Sequence, residues 1–523
     1  MKFAPRQIGL IAVILVSVLI SGLIVFNLIL PAGSFHWDES HHGVYGVWLT
    51  QSVTSGDWAA FWHHTHRQAL WPFLHSWVLT IFFLIFGISF QAARLSSLVL
   101  TLATTAVVYL LSVRLSEKWG WLIGLISASL MLTSPLVISF SAQNMLEALG
   151  GWLFMLAVYV YLLSEEKKQW PWYVLLGFLL GLSVVTKYNY AIMILAGFLA
   201  VKILELYGIF RRPKEVLTWL YRNGLVLAPF LLLALSWFFS GDSDRKIQML
   251  FWSKQMVAEQ QNVLGGFWTN IAFYPLAIIN DYLFSPWLGV LVLLSILVPI
   301  ASFKIKQINR FYILIWVPLL LAVFVIGNKM NRLIYIFVPL IFIVFAATLV
   351  FLLERLLAKN LKRWQVGLII SLIFLPAVFS LPRIPRMLAG DISDVVHGLR
   401  VERGKEHLAD VLAFFHDNIP KDKPVSTALS TAGLSPYVFY FYFHDWQAPV
   451  QTRFQMSQPY FYRSEYYLTL ELDEPDKFGV IDDSVNSWNK ILVENLQAGK
   501  LEVFKEQDFD TIGVTGRIYR VKL

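Results

Sequence analysis

Cysteine is absent from all 523 residues, which excludes disulfides, thiolate nucleophiles and cysteine-ligated zinc or iron–sulfur centres. Charge is scarce as well. Asp, Glu, Lys and Arg make up 15% of the chain, against about 25% in soluble globular proteins. So little charge cannot cover a water-exposed surface of this size, and a soluble fold is excluded. No internal repeat or low-complexity stretch stands out either, so nothing points to a solenoid or to a transporter built from two similar halves.

What fills the chain is apolar: 57% hydrophobic residues and a mean hydropathy of +0.61. Runs long enough to cross a bilayer, about 18 residues or more, lie near 8–30, 69–88, 93–113, 120–139, 148–163, 171–187, 189–207, 223–240, 284–303, 310–327, 333–354 and 366–382. Membrane β-strands give shorter, alternating segments. The expected fold is therefore a polytopic α-helical membrane protein with about eleven to thirteen spans. The 20 Trp, 21 Tyr and 40 Phe fit interfacial belts and helix packing. The net charge of +8 needs no nucleic acid, because much of it sits in short loops that orient helices. Residues 8–30 follow Met1-Lys2 and Arg6 and read as an uncleaved signal-anchor.

The basic loops set an expected topology. Glu165-Glu166-Lys167-Lys168, Arg211-Arg212-Pro213-Lys214, Lys304-Ile305-Lys306 with Arg310, and Glu354 to Arg363 belong inside. Lys187, the loop 241–283, the segment 327–332, and everything after 383 then fall outside, together with the loop 31–68. One conflict arises. Three apolar runs separate Asp38 from Glu147, so strict alternation would put these acids on opposite sides. Parity is restored if one run does not span. The run 69–88 is the candidate, because Trp71-Pro72, His75 and Trp77 suit a helix lying in the interface.

Two units follow: a transmembrane module over 1–382 and a soluble α/β domain over 383–523, where charge becomes frequent and apolar runs shorten. In the second unit, Leu408, Val411, Leu412 and Phe415 predict a helix over 403–417. The segments 436–443, 478–482 and 511–522 read as strands, and Asn418 to Pro424 as a turn.

Candidate chemistry gathers outside. Asp38-Glu39 follows the first apolar run within Phe35-His36-Trp37-Asp38-Glu39-Ser40-His41-His42. Seven of the 11 histidines fall between 36 and 75: His36, His41, His42, His63, His64, His66 and His75. Glu147 precedes another apolar run, Lys187 lies in Thr186-Lys187-Tyr188-Asn189-Tyr190, and Lys329 and Arg332 precede Tyr335 and Pro339. Acids can activate a nucleophile as general bases. Arg grips phosphate through two parallel bonds, while Lys acts as a point charge. A bundle with both, opening to one side, suits a substrate with a phosphate head and a lipid tail. The blander readings are a solvated acid pair, a macrodipole partner for Glu147, and snorkelling for Lys187 and Lys329.

The order of these motifs resembles the GT-C membrane glycosyltransferases. It comprises an acidic pair after the first helix, an acid after a later one, Thr-Lys at a helix end, and Lys-x-x-Arg-x-x-Tyr before a late helix. The closest likeness is to the branch of protein O-mannosyltransferases and lipid A aminoarabinose transferases. Pro72-Phe73-Leu74-His75-Ser76-Trp77, Phe86-Gly87-Ile88-Ser89 and Ala93-Arg94 resemble it too, over roughly residues 1–350. The resemblance implies a polyprenyl-phosphate-linked sugar donor and a lipid, glycan or protein acceptor, at the outer face of a prokaryotic-type plasma membrane. Asp38 would be the acceptor-activating base, with Glu39 supporting its loop. Glu147 would take the second acidic position, where close relatives usually carry Asp. Lys187, Lys329, Arg332 and Tyr335 would hold the donor phosphate. Related enzymes differ in their need for a divalent metal, for which His63, His64 and His66 are the candidate ligands. Arg67-Gln68 stands where the aminoarabinose branch has an acidic residue followed by Lys. The alternative function is a transporter or flippase of sugars or lipid-linked sugars, and a third is a membrane scaffold.

Overall fold

The computed structural model describes residues 5–35, 37–248, 267–297, 306–326, 329–358, 380–388, 408–429, 434–447, 450–452, 464–472 and 484–522. Eleven of the twelve apolar runs fall on helices. These are α1 (Pro5–Ile24, continued by a π-turn Val25–Ile29), α4 (Leu74–Phe86), α5 (Phe90–Leu115), the pair α6 (Gly120–Thr133) and α7 (Pro135–Ser141), α8 (Leu146–Lys167), α9 (Trp170–Val184), α10 (Tyr188–Ile209), α11 (Pro213–Phe238), α13 (Pro286–Leu297), α14 (Lys306–Phe324), and α15 (Val338–Ala358) with the 3₁₀ turn Asn331–Phe337 before it. Two helices outside those runs, α2 (Trp37–Thr54) and α3 (Trp58–His66), occupy the loop 31–68, and α12 (Phe267–Asn280) precedes α13. Most of the twelfth run, 366–382, lies outside the described residues, as do His36 and the strand expected at 478–482.

Among the described residues, six helices are long and apolar enough to cross a membrane, or seven with the bent α6–α7 pair, and four shorter apolar helices accompany them. Burial sorts them. The central windows are 83% buried in α8 and 72% in Asn331–Leu356, but 22% in α1 and none in α11. Helices that are apolar all round can be central or lipid-facing, and only the packing separates the two kinds. α8 and α15 form the middle, while α1 and α11 present aliphatic flanks outward. The α9–α11 crossing is close because Gly177 has no side chain: a Cβ there would fall 1.9 Å from the Val226 carbonyl oxygen.

The parity conflict meets two local features. α4 has 13 residues, about 20 Å of helix at 1.5 Å per residue, against a hydrocarbon core of about 30 Å. Both of its ends touch the same end of the molecule. His75 bonds Asn144, just before α8, and Phe83 meets Phe441 of the C-terminal region. The other feature is a 67° bend between α6 and α7. Pro135 opens α7, and a residue preceding proline is pushed out of the helical region. The turn after α7 then delivers Asn144 and Glu147 to the end where α2 begins.

Beyond Leu408 the chain builds a five-stranded mixed sheet of order β2-β1-β3-β5-β4. Its strands are β1 (Val425–Thr427), β2 (Val450–Thr452), β3 (Tyr466–Leu472), β4 (Leu501–Phe509) and β5 (Val514–Val521). β1 runs parallel to β2 and β3, whereas β5 is antiparallel to β3 and β4. α17 (Leu408–Asp417) matches the helix expected there, and β5 the strand expected over 511–522. A six-residue helix α16 (Arg383–Leu388) precedes them, and α19 (Ser484–Gln497) packs on β3 and β4.

The segment 436–443 is a correction: it folds as a helix, α18 (Pro436–Tyr442), not a strand. Its Tyr and Phe residues favour strands in isolation, but β-propensity yields to packing context. Pro436 occupies the first helical turn, where proline is welcome, and Phe439 and Phe441 pack into the core. That core is shared. Phe35, Val44, Val47, Leu79, Phe83 and Phe90 of the bundle join Leu412, Phe415, Phe439 and Ile518 of the C-terminal region in one apolar cluster.

Candidate active site

Two adjacent helical residues point about 100° apart, so Asp38 and Glu39 cannot share a partner. Glu39 turns inward and is 2% exposed. Arg94, at the start of α5, grips it with Nε at 3.1 Å and Nη2 at 3.2 Å, and the Asn144 amide donates at 2.8 Å. The Asn144 side chain also donates to the Glu39 carbonyl at 2.9 Å, and Arg94 reaches the Ser34 carbonyl at 2.5 Å. Glu39 thus ties α2, α5 and the α7–α8 turn together. Its carboxylate is spent on structure.

Asp38 turns the other way. Arg332 Nη1 donates to its Oδ2 at 2.9 Å, and both side chains remain about one-fifth exposed. Arg332 comes from the 3₁₀ turn, where Asn331 Oδ1 accepts from its backbone N–H at 2.8 Å. Its Nε lies 3.9 Å from Glu147 Oε1. Glu147 is fully buried in the first turn of α8. Its Oε1 accepts from Lys187 Nζ at 3.1 Å and from the Tyr190 hydroxyl at 2.9 Å. Tyr190 reaches it because Gly150 leaves room, since a Cβ there would sit 2.7 Å from the Tyr190 ring. Glu147 Oε2 has no hydrogen-bond partner among the described residues. The result is a chain of alternating charge, Lys187–Glu147–Arg332–Asp38, built from four separate stretches of sequence. Its outer members stay partly open to solvent.

The other expected residues fall elsewhere. Lys329 lies outside this cluster: its ammonium donates to the carbonyls of Ala322, Val323 and Ile326 at 2.5–2.7 Å, capping the end of α14. All three of its protons are used on carbonyls that the helix end leaves unpaired. Tyr335 is buried in the bundle, with its ring edge-on to Phe140 at 5.6 Å and against Gly151. His63, His64 and His66 do not converge. They sit on one short helix, where such spacing splays side chains around the axis. The His64 ring stacks on Trp48 and the His66 ring on Trp62. Among the described residues no three His, Asp or Glu side chains are placed to hold a metal ion. The carboxylates nearest the site are taken up by cations. His63, His64 and His66 therefore form no common metal site with one another among the described residues.

Three of the seven clustered histidines and a tryptophan complete the site. The His75 ring bonds Asn144 Oδ1 at 2.9 Å, and His42 packs on His75 at 5.3 Å between ring centres. Trp71 contacts both His41 and His42. Burial holds the His41 pKa down at about 4, although nearby Asp38 pulls it the other way. Burial also depresses His42, helped by the neighbouring His75 and His41. Both rings are therefore neutral near pH 7. In the sequence Arg94, Trp71 and Tyr190 each stand only as neighbours in a motif, and the structure gives Arg94 and Tyr190 their carboxylate partners.

The architecture is thus a helical bundle with a sheet region on one end and paired acids and cations at that same end. Comparison with known proteins places it beside others. Residues 71–239 match the sequence model of the dolichyl-phosphate-mannose-protein mannosyltransferase family. The crystal structure of ArnT from Cupriavidus metallidurans bound to undecaprenyl phosphate superposes with a TM-score of 0.62 at 12% identity, covering 97% of each chain. Its apo form gives 0.60 at the same identity and coverage. The oligosaccharyltransferase AglB from Archaeoglobus fulgidus is more distant, at 0.49 and 12% identity, covering 84% of this chain and 64% of that one. No curated protein sequence matches. The chain is similar in fold to ArnT over 97% of its length and in sequence to the dolichyl-phosphate-mannose-protein mannosyltransferases over residues 71–239.

Proposed function

We propose that this protein transfers a sugar from a polyprenyl-phosphate-linked donor to an acceptor at the extracytoplasmic face of a prokaryotic-type membrane. The observation that carries the reading is the Lys187–Glu147–Arg332–Asp38 charge chain at one end of a lipid-embedded bundle. Asp38 takes the proton of the acceptor hydroxyl. The freed oxygen attacks the anomeric carbon, the bond from that carbon to the phosphate oxygen breaks, and polyprenyl phosphate departs with the electron pair. One displacement inverts the anomeric centre. Arg332 has five N–H donors and Asp38 takes one of them in the structure, which leaves others for phosphate. Lys187 adds a second cation, and the two offset the charge developing on the leaving group. Glu147 keeps both cations oriented.

Extracytoplasmic placement is supported by basic residues at the far ends of helices that begin at the site: Lys167 and Lys168 closing α8, Arg211 and Arg212 after α10, and Arg355 in the last turn of α15. Whether the sugar is a hexose or a pentose is set by the donor pocket. The test uses purified protein and labelled polyprenyl-phosphate sugars, with and without chelator, beside Asp38→Asn. Sugar release or transfer that vanishes in the variant supports the reading, and no turnover of any such donor by folded protein refutes it. Activity that survives the chelator is expected from the donor set.

A further inference from the structure

On α2, residues 38, 41 and 45 recur at helical spacing and share one face. Beyond Asp38 that face carries rings. His41 meets Tyr45 at 5.1 Å, Trp71 at 4.8 Å and Tyr437 at 4.5 Å between ring centres, all edge-on or tilted. Tyr45, Trp71 and Tyr437 form a wall; they are partly buried, and each keeps some of its surface open to solvent. Tyr437 belongs to α18, so the C-terminal region supplies one side of the wall. The next residue on the face, Trp48, holds the Arg67 guanidinium over its ring at 4.7 Å. Gly241 packs against His66, where a Cβ would fall 2.9 Å from the His66 Cβ, and this brings the segment carrying Arg245 beside Arg67. Arg67 and Arg245 are exposed and have no carboxylate in ion-pair range among the described residues, unlike the cations of the charge chain. The wall begins at the acid that would activate an acceptor and ends at two exposed guanidiniums.

We propose that this wall is the acceptor subsite and that its ligand is an anionic saccharide, with sugar rings against Tyr45, Trp71 and Tyr437 and a phosphate or carboxylate on Arg67 and Arg245. The assignment rests on the transferase reading. Aromatic edges and faces suit the C–H-rich faces of sugars, the tyrosine hydroxyls offer partners for theirs, and exposed arginines favour bidentate anion contacts. This chemistry also explains why Arg67 stands where an acid would repel such a ligand.

Saturation-transfer NMR on the full-length protein in detergent, with undecaprenyl phosphate filling the donor site, tests the assignment. The probes are glucose 1-phosphate, methyl glucoside, inorganic phosphate, an acidic serine-containing peptide and dihexanoyl-phosphatidylglycerol. Glucose 1-phosphate is expected to bind at least tenfold more tightly than methyl glucoside or inorganic phosphate. Arg67→Ala with Arg245→Ala, both exposed positions, should weaken it at least tenfold. Tyr437→Ala should do the same, and Tyr437→Phe should restore most of the binding. Equal binding of inorganic phosphate, tighter binding of the peptide or the lipid, or indifference to the arginine pair would each overturn the proposal. Turnover of labelled donor by the same preparations is scored separately. Its absence counts against the transferase reading, whereas turnover with undiminished glucose 1-phosphate binding in the arginine double variant counts against this subsite alone.

Discussion

Asp38 and Glu39 are neighbours in sequence with opposite fates, and substitutions should separate them. Asp38→Asn keeps the shape but cannot accept a proton, so transfer should fall by roughly 10²–10⁴, the usual worth of a general base. Thermal unfolding in detergent should change little, because Asp38 is part-exposed and singly bonded. Glu39→Gln should show the reverse emphasis. It leaves Arg94 buried without a counter-charge, an arrangement that typically costs about 3–5 kcal/mol. A large drop in melting temperature is expected, and a melting curve like wild type would contradict the structural role. The histidines give a pH prediction. His41 has a folded pKa near 4 against an ordinary value of 6.5. Between those values the unfolded chain binds a proton that the folded one refuses, so stability is full above about 6.5 and falls as pH drops toward 4. Melting temperature followed across that window should decline, and His41→Phe should flatten the slope.

The elements are set by length and apolarity, their arrangement by small residues and breaks. Gly177 admits the Val226 carbonyl at the α9–α11 crossing, so Gly177→Val should force the helices apart. The expected outcome is reduced yield of folded protein and a lower melting temperature, typical of overpacking at about 1–3 kcal/mol or more. Gly150→Val should act more selectively. It would push Tyr190 off Glu147, lowering donor turnover more than stability, which a comparison of activity with melting would reveal. The helix over 436–442, where composition favours a strand, belongs to this scale. Tyr437 to Phe443 has strand-like composition, but Pro436 starts a helix and the surrounding core rewards two buried faces at helical spacing.

At the scale of the whole molecule, one apolar cluster joins the bundle's α2, α4 and α5 to the sheet region, with Phe35 between Phe90 at 4.6 Å and Phe441 at 4.7 Å. Phe35 directly precedes the segment that opens into Asp38, and the Ser40 and Ser435 hydroxyls bond at 2.8 Å close by. The C-terminal region therefore braces the turn that carries Asp38 and sets Tyr437 against His41. Removing residues 408–523 should abolish transfer even where the bundle still inserts, and a truncated chain that transfers sugar at the wild-type rate would refute the brace.

The sequence by itself determined the membrane class, the apolar helices of the bundle and the acids and cations that gather at one end, because apolar run length and rare charges are local signals that lipid makes decisive. It also placed Asp38, Glu147, Lys187 and Arg332 at one end through the basic loops. Only the tertiary structure decided which charges meet. Lys329 was equivalent to Lys187 in sequence, yet the end of α14 claims its ammonium, while Lys187 reaches Glu147. His63, His64 and His66 were a cluster in sequence and diverge in space. Side-chain partnership depends on which helices cross and at what rotation. That is fixed by packing between residues far apart in the chain, such as Gly150 with Tyr190 or Arg94 with Glu39, and no local pattern encodes it.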